Sequence, residues 1–183
     1  RQTWKKSWSE HRNNFRYHII FLIVIFIVVG VHIVEVNVID SSITQLLGYN
    51  FAPAIQSIED GVVHWFSEHW TPVLLYFFVF IYIGLYPFLL WFSLLYFLMV
   101  DERKAMKTFA YGLVGIYAIA LPFYLFLPIT NVYTTYGASS ALETVIPGVE
   151  RFFYTTTTAN NSFPSLHVAL ALLIAKTISL TSN

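Results

Sequence analysis

Cysteine is missing altogether from the 183 residues, and charge is scarce: Lys, Arg, Asp and Glu together make up 11%. Without a thiol there is no disulfide and no thiolate metal ligand, and the redox compartment is not readable from cysteine usage. Ordinary soluble domains carry about 25% charged residues, so this share argues against a surface wetted on all sides. The ten basic and ten acidic side chains cancel, and no basic excess points to nucleic acid. No glycine-rich loop of the nucleotide-binding kind occurs. What fills the chain is apolar: 57% of residues are hydrophobic and 19% aromatic. The chain opens on Arg1 and stops at Asn183 soon after a hydrophobic run, which predicts a segment of a longer protein.

Four stretches are long and apolar enough to cross a bilayer, which takes about 20 residues. They lie at about 19–39, 73–100, 109–127 and 164–180. They predict an all-α integral membrane protein, a helical bundle with at least four transmembrane helices. The first stretch is too long for a secretory signal and lacks a small-residue cleavage site. Arg1, Lys5, Lys6, Arg12 and Arg16 precede it, and Arg103, Lys104 and Lys107 separate the second from the third. The two remaining loops contain one basic residue, Arg151. By the positive-inside rule, 1–18 is a cytoplasmic N-terminal segment and the 101–107 loop is also cytoplasmic. Loops 40–70 and 129–163 are then external, and 19–183 forms one multi-pass domain of the cell membrane.

Trp4, Trp8, Trp65, Trp70, Tyr133 and Tyr136 fall near the predicted boundaries, where amphipathic rings anchor at headgroup level. Tyr76, Tyr82, Tyr86 and Tyr96 lie inside the second stretch and predict packing against helices or lipid, with Gly84 and Pro87 predicting a kink. Between Ser41 and Trp70, Phe51, Ile55, Ile58, Val62, Trp65 and Phe66 recur at helical spacing. Opposite them stand Gln56, Ser57, Glu59, Asp60 and Ser67, which predicts an external amphipathic helix.

The chemistry concentrates in Asn161-Ser162-Phe163-Pro164-Ser165-Leu166-His167. A polar loop gives way here to a hydrophobic helix, whose first turn offers unpaired N–H groups and a partial positive charge to an anion. Pro164 suits the opening helical position, and Ser162 or Asn161 suits the cap. His167 follows closely enough to hand a proton to a phosphate held at that helix start. The plainer reading of the same residues is a capped helix with an interfacial histidine.

Phe163-Pro164-Ser165-Leu166-His167-Val168-Ala169 resembles the second signature of the type 2 phosphatidic acid phosphatase superfamily, usually written Pro-Ser-Gly-His. The leucine variant resembles the branch of inositol-phosphorylceramide synthases and related archaeal membrane proteins. A phrase like Leu127-Pro128-Ile129-Thr130-Asn131-Val132-Tyr133 also precedes the motif in that branch. The resemblance implies a six-span phosphatase-type bundle and phosphoryl transfer through a phosphohistidine. Carried over by position, His167 is the general acid and Ser165 helps bind phosphate. Asn131 occupies a place where some relatives carry a basic residue, and Arg151 is the default oxyanion partner.

The first signature, a lysine followed seven residues later by Arg-Pro, does not occur. Lys104 and Lys107 do not replace it, because the predicted topology puts them about 30 Å away on the other side. The third signature, a Ser-Arg pair followed by His and Asp, is also not found within the 183 residues. The expectation is that a C-terminal part supplies the nucleophile and the last two spans.

The implied substrate is a phospholipid or isoprenoid-lipid phosphate entering from the outer leaflet. Water as acceptor gives a phosphatase, and a polar alcohol such as inositol gives a phosphotransferase. No metal or other cofactor is implied, and a homo-oligomer is left open. A non-catalytic scaffold or lipid-binding module is the alternative. His32 and Glu35, one turn apart near the outer end of the first stretch, point to a proton path, a contact behind the site or an interfacial pair. They also motivate a transporter reading, which no internal repeat supports. His64, Glu68 and His69 could in principle ligate a metal, since positions four apart share a helix face, but they form an incomplete ligand set. Thr155–Thr158 reads as a polar linker.

Overall fold

The computed structural model describes residues 8–181, with side chains from 15 to 181. Arg1, Trp4, Lys5 and Lys6 lie outside the described residues. Helix α1 (Trp8–Val34) runs through a π-helical stretch, Glu35–Ile39, into α2 (Asp40–Leu47). This rod is longer than the stretch predicted at 19–39, its apolar helical part extending from Phe15 to Leu47. No proline or glycine interrupts residues 31–47, so nothing stops the helix until Gly48, which turns left-handed at φ 65.

The single amphipathic helix predicted between Ser41 and Trp70 is instead three pieces: α2, α3 (Ala52–Glu59) and α4 (Val62–Glu68). Gly48 ends the first piece, and Asp60 and Gly61, with φ of 52 and 79, separate the second from the third. Two consecutive left-handed residues break the helical hydrogen-bond ladder whatever the apolar period says.

The second rod comprises α5 (Pro72–Val79), a π-helical stretch Phe80–Leu85, and α6 (Tyr86–Met99). Thr71 caps it, its hydroxyl accepting from the Leu74 N–H at 3.4 Å. Pro87 has no N–H to give to the preceding turn, and the backbone widens just ahead of it rather than breaking. Helix α7 (Arg103–Phe126) forms the third rod. Three short helices follow: α8 (Val132–Tyr136), α9 (Ala141–Val145) and α10 (Pro147–Phe153). The last is α11 (Leu166–Ser179).

Three described helices are long and apolar enough to cross a membrane: Phe15–Leu47, Pro72–Met99 and Arg103–Phe126. The stretch predicted as a fourth span, 164–180, appears as α11, 14 residues and therefore about 21 Å long at 1.5 Å per residue. Its start falls at Leu166 rather than Pro164, because Ser165 is extended and its hydroxyl accepts from the Val168 N–H. The all-α membrane bundle read from the sequence is the observed architecture. Among the described residues the only bridging of strand type is the isolated Ile129–Asn161 pair.

Helix α7 sits at the centre, packed against α1 and α11. Phe21 and Ile25 of α1, Leu94 and Phe97 of α6, and Leu173 and Ile174 of α11 close over Ala105, Met106, Phe109 and Ala110 of α7. Small residues let the backbones approach, as in other helix pairs within lipid. At Gly112 a Cβ would stand 2.4 Å from Leu173 Cδ1. Gly112→Val is therefore expected to force α11 away from α7 at a cost of about 1–3 kcal/mol, read as a lowered thermal unfolding temperature in detergent. An unchanged unfolding temperature would show that Leu173 swings aside freely.

Only 6% of the most apolar window of the second rod is buried, so its Phe, Trp and Leu side chains form an outward surface suited to lipid. The stretch expected to be a loop at 101–107 is helical from Arg103 onward, and at this end of the bundle the buried His18 Nε2 meets Asp101 Oδ1 at 2.9 Å. This contact ties α1 to the turn between α6 and α7.

Candidate functional site

His167 is the second residue of α11, and three aromatic rings wall it in. Its ring centroid lies 4.8 Å from Tyr82, 5.1 Å from Tyr86 and 5.8 Å from Phe153. Tyr82 and Tyr86 are four positions apart on the second rod and so share a face; Phe153 ends α10. Neither nitrogen of the His167 ring bonds another described residue, which leaves the imidazole available to a ligand. Ser165, exposed just before it, spends its hydroxyl as the α11 cap.

Asn161 does not cap this helix. Its Nδ2 donates to Glu35 Oε1 at 3.0 Å, across 126 positions of sequence. Glu35 is fully buried, and its Oε2 accepts from the Tyr117 hydroxyl at 3.3 Å and lies 3.4 Å from His32 Nδ1. The predicted His32–Glu35 pair thus exists, but its carboxylate faces the bundle interior rather than the membrane interface. Five residues on, Asp40 is buried beside Thr158 and Asn160. The far end of the first rod therefore holds the loop that carries the motif.

Backbone and amide bonds complete that anchorage. The Ile129 N–H donates to Asn160 O at 2.9 Å and the Asn131 N–H to Ala159 O at 2.7 Å. The Ser162 N–H returns to Ile129 O at 3.2 Å. Tyr124, buried in α7, donates its hydroxyl to Pro164 O at 2.6 Å. The Leu127–Tyr133 phrase and the Asn161–His167 motif, separate in sequence, lie side by side.

Asn131 spends its side chain on this framework. Its carbonyl oxygen caps α8 by accepting from the Thr134 N–H, and its amide donates to the Tyr154 hydroxyl at 3.1 Å. Arg151 is exposed on α10, two positions before Phe153. A separation of about 200° around the helix puts it on the face away from the ring that meets His167. Ser165 and His167 are thus together at one helix start, Asn131 stands one loop away, and Arg151 points elsewhere.

His64 stacks on Tyr136 at 4.0 Å and meets Glu68 at 3.1 Å, while His69 stacks on Trp65 at 4.6 Å. No trio of His, Cys, Asp or Glu suited to a metal occurs among the described residues. The Thr155 and Thr156 hydroxyls donate to Phe152 O and Phe153 O, so the threonine run closes α10 instead of floating.

A cavity of about 370 Å³ lies on the other side of Tyr82 and Phe153, the rings that also pack on His167; the imidazole itself is not among its walls. Trp70, Tyr133, Tyr154 and Glu150 are among its other walls. Burial raises the Tyr133 and Tyr154 phenols above their ordinary value, and Glu150 adds to both shifts, so these rings stay neutral. Reasoning from sequence assigned Tyr82 and Tyr86 to packing and gave Phe153 no role. The usable signal was two hydroxylated rings at i and i+4 inside an otherwise apolar run.

Comparison with known proteins bears on this arrangement. A family model described as the PAP2 superfamily matches residues 54–183, which takes in the second and third rods, the cavity and the whole motif loop. No curated protein matches the chain, and no solved structure does. The resemblance carried by Pro164, Ser165 and His167 is therefore seconded by a match over more than two thirds of the sequence: the chain belongs to the PAP2 superfamily.

Proposed function

We propose that this chain carries the phosphate-binding and proton-donating part of a membrane-embedded lipid phosphate phosphatase or phosphotransferase. Superfamily membership supports phosphatase-type action on lipid phosphates in general. The single observation that carries the finer reading is the start of α11, where Ser165 caps the helix and His167 stands in its first turn with both ring nitrogens open to a ligand. The helix N-terminus stabilises the phosphate oxygens. A histidine nucleophile attacks phosphorus, the P–O bond to the leaving group breaks, and His167 delivers a proton to the departing oxygen. Imidazole suits that task near neutral pH. Water or an alcohol such as inositol then takes the phosphoryl group from the phosphohistidine. The leucine at position 166 favours the branch related to inositol-phosphorylceramide synthases.

Ser165 contributes its backbone N–H to the phosphate. Arg151 and Asn131 are proposed as headgroup partners: Arg151 is exposed on α10 and would meet a headgroup from outside the aromatic wall, and Asn131 acts through the loop it caps. The site faces the external side, with the N-terminus in the cytoplasm, as the basic residues indicate. One observation favours the alternative of a non-catalytic lipid-binding module: among the described residues the cation–ring contacts of arginine and lysine are with Tyr17 and Tyr111, not with the rings around His167.

The deciding measurement is phosphate release from a panel of phospholipid and isoprenoid-lipid phosphates by the full-length protein in detergent. Release from at least one lipid, and none from water-soluble phosphate esters, is the expected result. Tight binding of lipid phosphates without release, with or without an added alcohol, would establish the module instead.

A further inference from the structure

The cavity beside His167 has a composition that a phosphate site does not explain. It is walled by Trp70, Tyr82, Tyr133, Phe153 and Tyr154, and one carboxylate, Glu150, stands among these rings. Glu150 Oε1 accepts from the hydroxyl of Ser140, which is itself buried. Among the described residues no lysine, arginine or histidine lies within ion-pair distance of Glu150. Two contacts hold the walls in place: Trp70 Nε1 donates to Ser67 O at 2.9 Å, and the Tyr154 hydroxyl accepts from Asn131.

Charge and shape narrow the occupant. A phosphate would meet the Glu150 carboxylate at like sign, so the anion belongs on the His167 side of the shared rings. An acyl chain would fit the rings but would strip water from the half-exposed Glu150 carboxylate, whose Ser140 hydrogen bond does not neutralise its charge, and that is costly. A soft, weakly hydrated cation satisfies both, because aromatic faces attract it and the carboxylate neutralises it. The volume, about 370 Å³, lies within the range of small-molecule sites.

We propose that this cavity binds a quaternary ammonium group, and that Tyr82 and Phe153 hold it next to the phosphate handled by His167. The cavity is then a headgroup site for a phosphocholine-type ligand, either a membrane lipid or a water-soluble quaternary ammonium compound. This deepens the lipid-phosphate reading and rests on it for the neighbouring anion, whereas the cation site stands on Glu150 and the rings.

Binding is the appropriate readout, measured calorimetrically with the full-length His167→Ala protein in detergent so that no turnover intervenes. The ligands are a short-chain phosphocholine lipid, the phosphoglycerol lipid of equal chain length, and the neutral 3,3-dimethylbutyl isostere of the choline headgroup. The phosphocholine lipid is expected to bind at least about fivefold more tightly than either of the others. Glu150→Gln, which preserves the shape and the Ser140 acceptor, is expected to erase that preference. Equal affinity for the isostere overturns the proposal and needs no variant; so does a preference that survives Glu150→Gln. Free choline chloride distinguishes the sources. Competition by choline supports a site open to soluble ammonium compounds, and a lipid preference immune to it assigns the site to a lipid headgroup. Absence of the preference in protein that retains Glu150, with phosphate release by the unsubstituted protein intact, would sink this proposal alone; a preference that depends on Glu150, with no phosphate release from any lipid, would sink the catalytic reading alone.

Discussion

His167→Ala is expected to lower phosphate release from the best lipid substrate at least about 100-fold, the ordinary consequence of removing a positioned general acid. The expectation follows from the packing around the ring. The rings of Tyr82, Tyr86 and Phe153 pack with centroids 4.8–5.8 Å from that of the imidazole, and no side chain among the described residues is its hydrogen-bond partner. Under the proposed mechanism, truncation removes the proton donor while the Ser165 cap and the helix start persist, so kcat is expected to fall with little change in KM. His167→Gln, which keeps polarity but not acid chemistry, should behave like alanine. The pH profile adds an independent check. A general acid works only while protonated, so the wild-type rate falls as pH rises through its titration, and that basic limb should vanish from the residual activity of the variant. A variant that keeps full turnover removes His167 from the mechanism.

Glu35→Ala is expected to destabilise the protein by about 3–5 kcal/mol, the range for removing one member of a buried charged cluster. The fully buried carboxylate is shared by Asn161, Tyr117 and His32. Without it, the Asn161 amide and the Tyr117 phenol lose their shared acceptor inside the bundle, His32 loses the carboxylate 3.4 Å away, and the loop leading to Pro164 loses its tie to the first rod. Glu35→Gln retains a carbonyl acceptor for one donor but turns an NH2 toward the others, so a smaller loss is expected, about 1 kcal/mol for each bond broken. Thermal unfolding in detergent measures the stability. Limited proteolysis between residues 155 and 162 measures loop release, which a loss spread over the whole fold would not confine to that segment. If Glu35→Ala unfolds at the wild-type temperature and the loop resists cleavage, Glu35 is not its anchor.

Parts of the fold were legible because they depend on local physics. Long apolar runs with few charges must be helical in lipid, where each backbone polar group needs an internal partner, and three such helices are observed. The motif was legible for the same reason: Ser165 and His167 are two residues apart, and the helix start that unites them is a local event. Errors arose where one backbone angle overrode a pattern. Asp60 and Gly61 divide an amphipathic run that periodicity joined, and Ser165 takes the capping role that was expected one turn earlier.

By itself, then, the sequence determined the helical membrane architecture, the superfamily and the position of the imidazole, since each rests on neighbours along the chain. Only the tertiary structure decided what surrounds that imidazole. Tyr82, Phe153 and His167 come from three segments, Glu35 meets Asn161 across 126 positions, and Glu150 shares a cavity with Trp70. Such juxtapositions follow from how α1, the second rod and α11 pack around α7, and packing of that kind leaves no period or spacing in the chain to read.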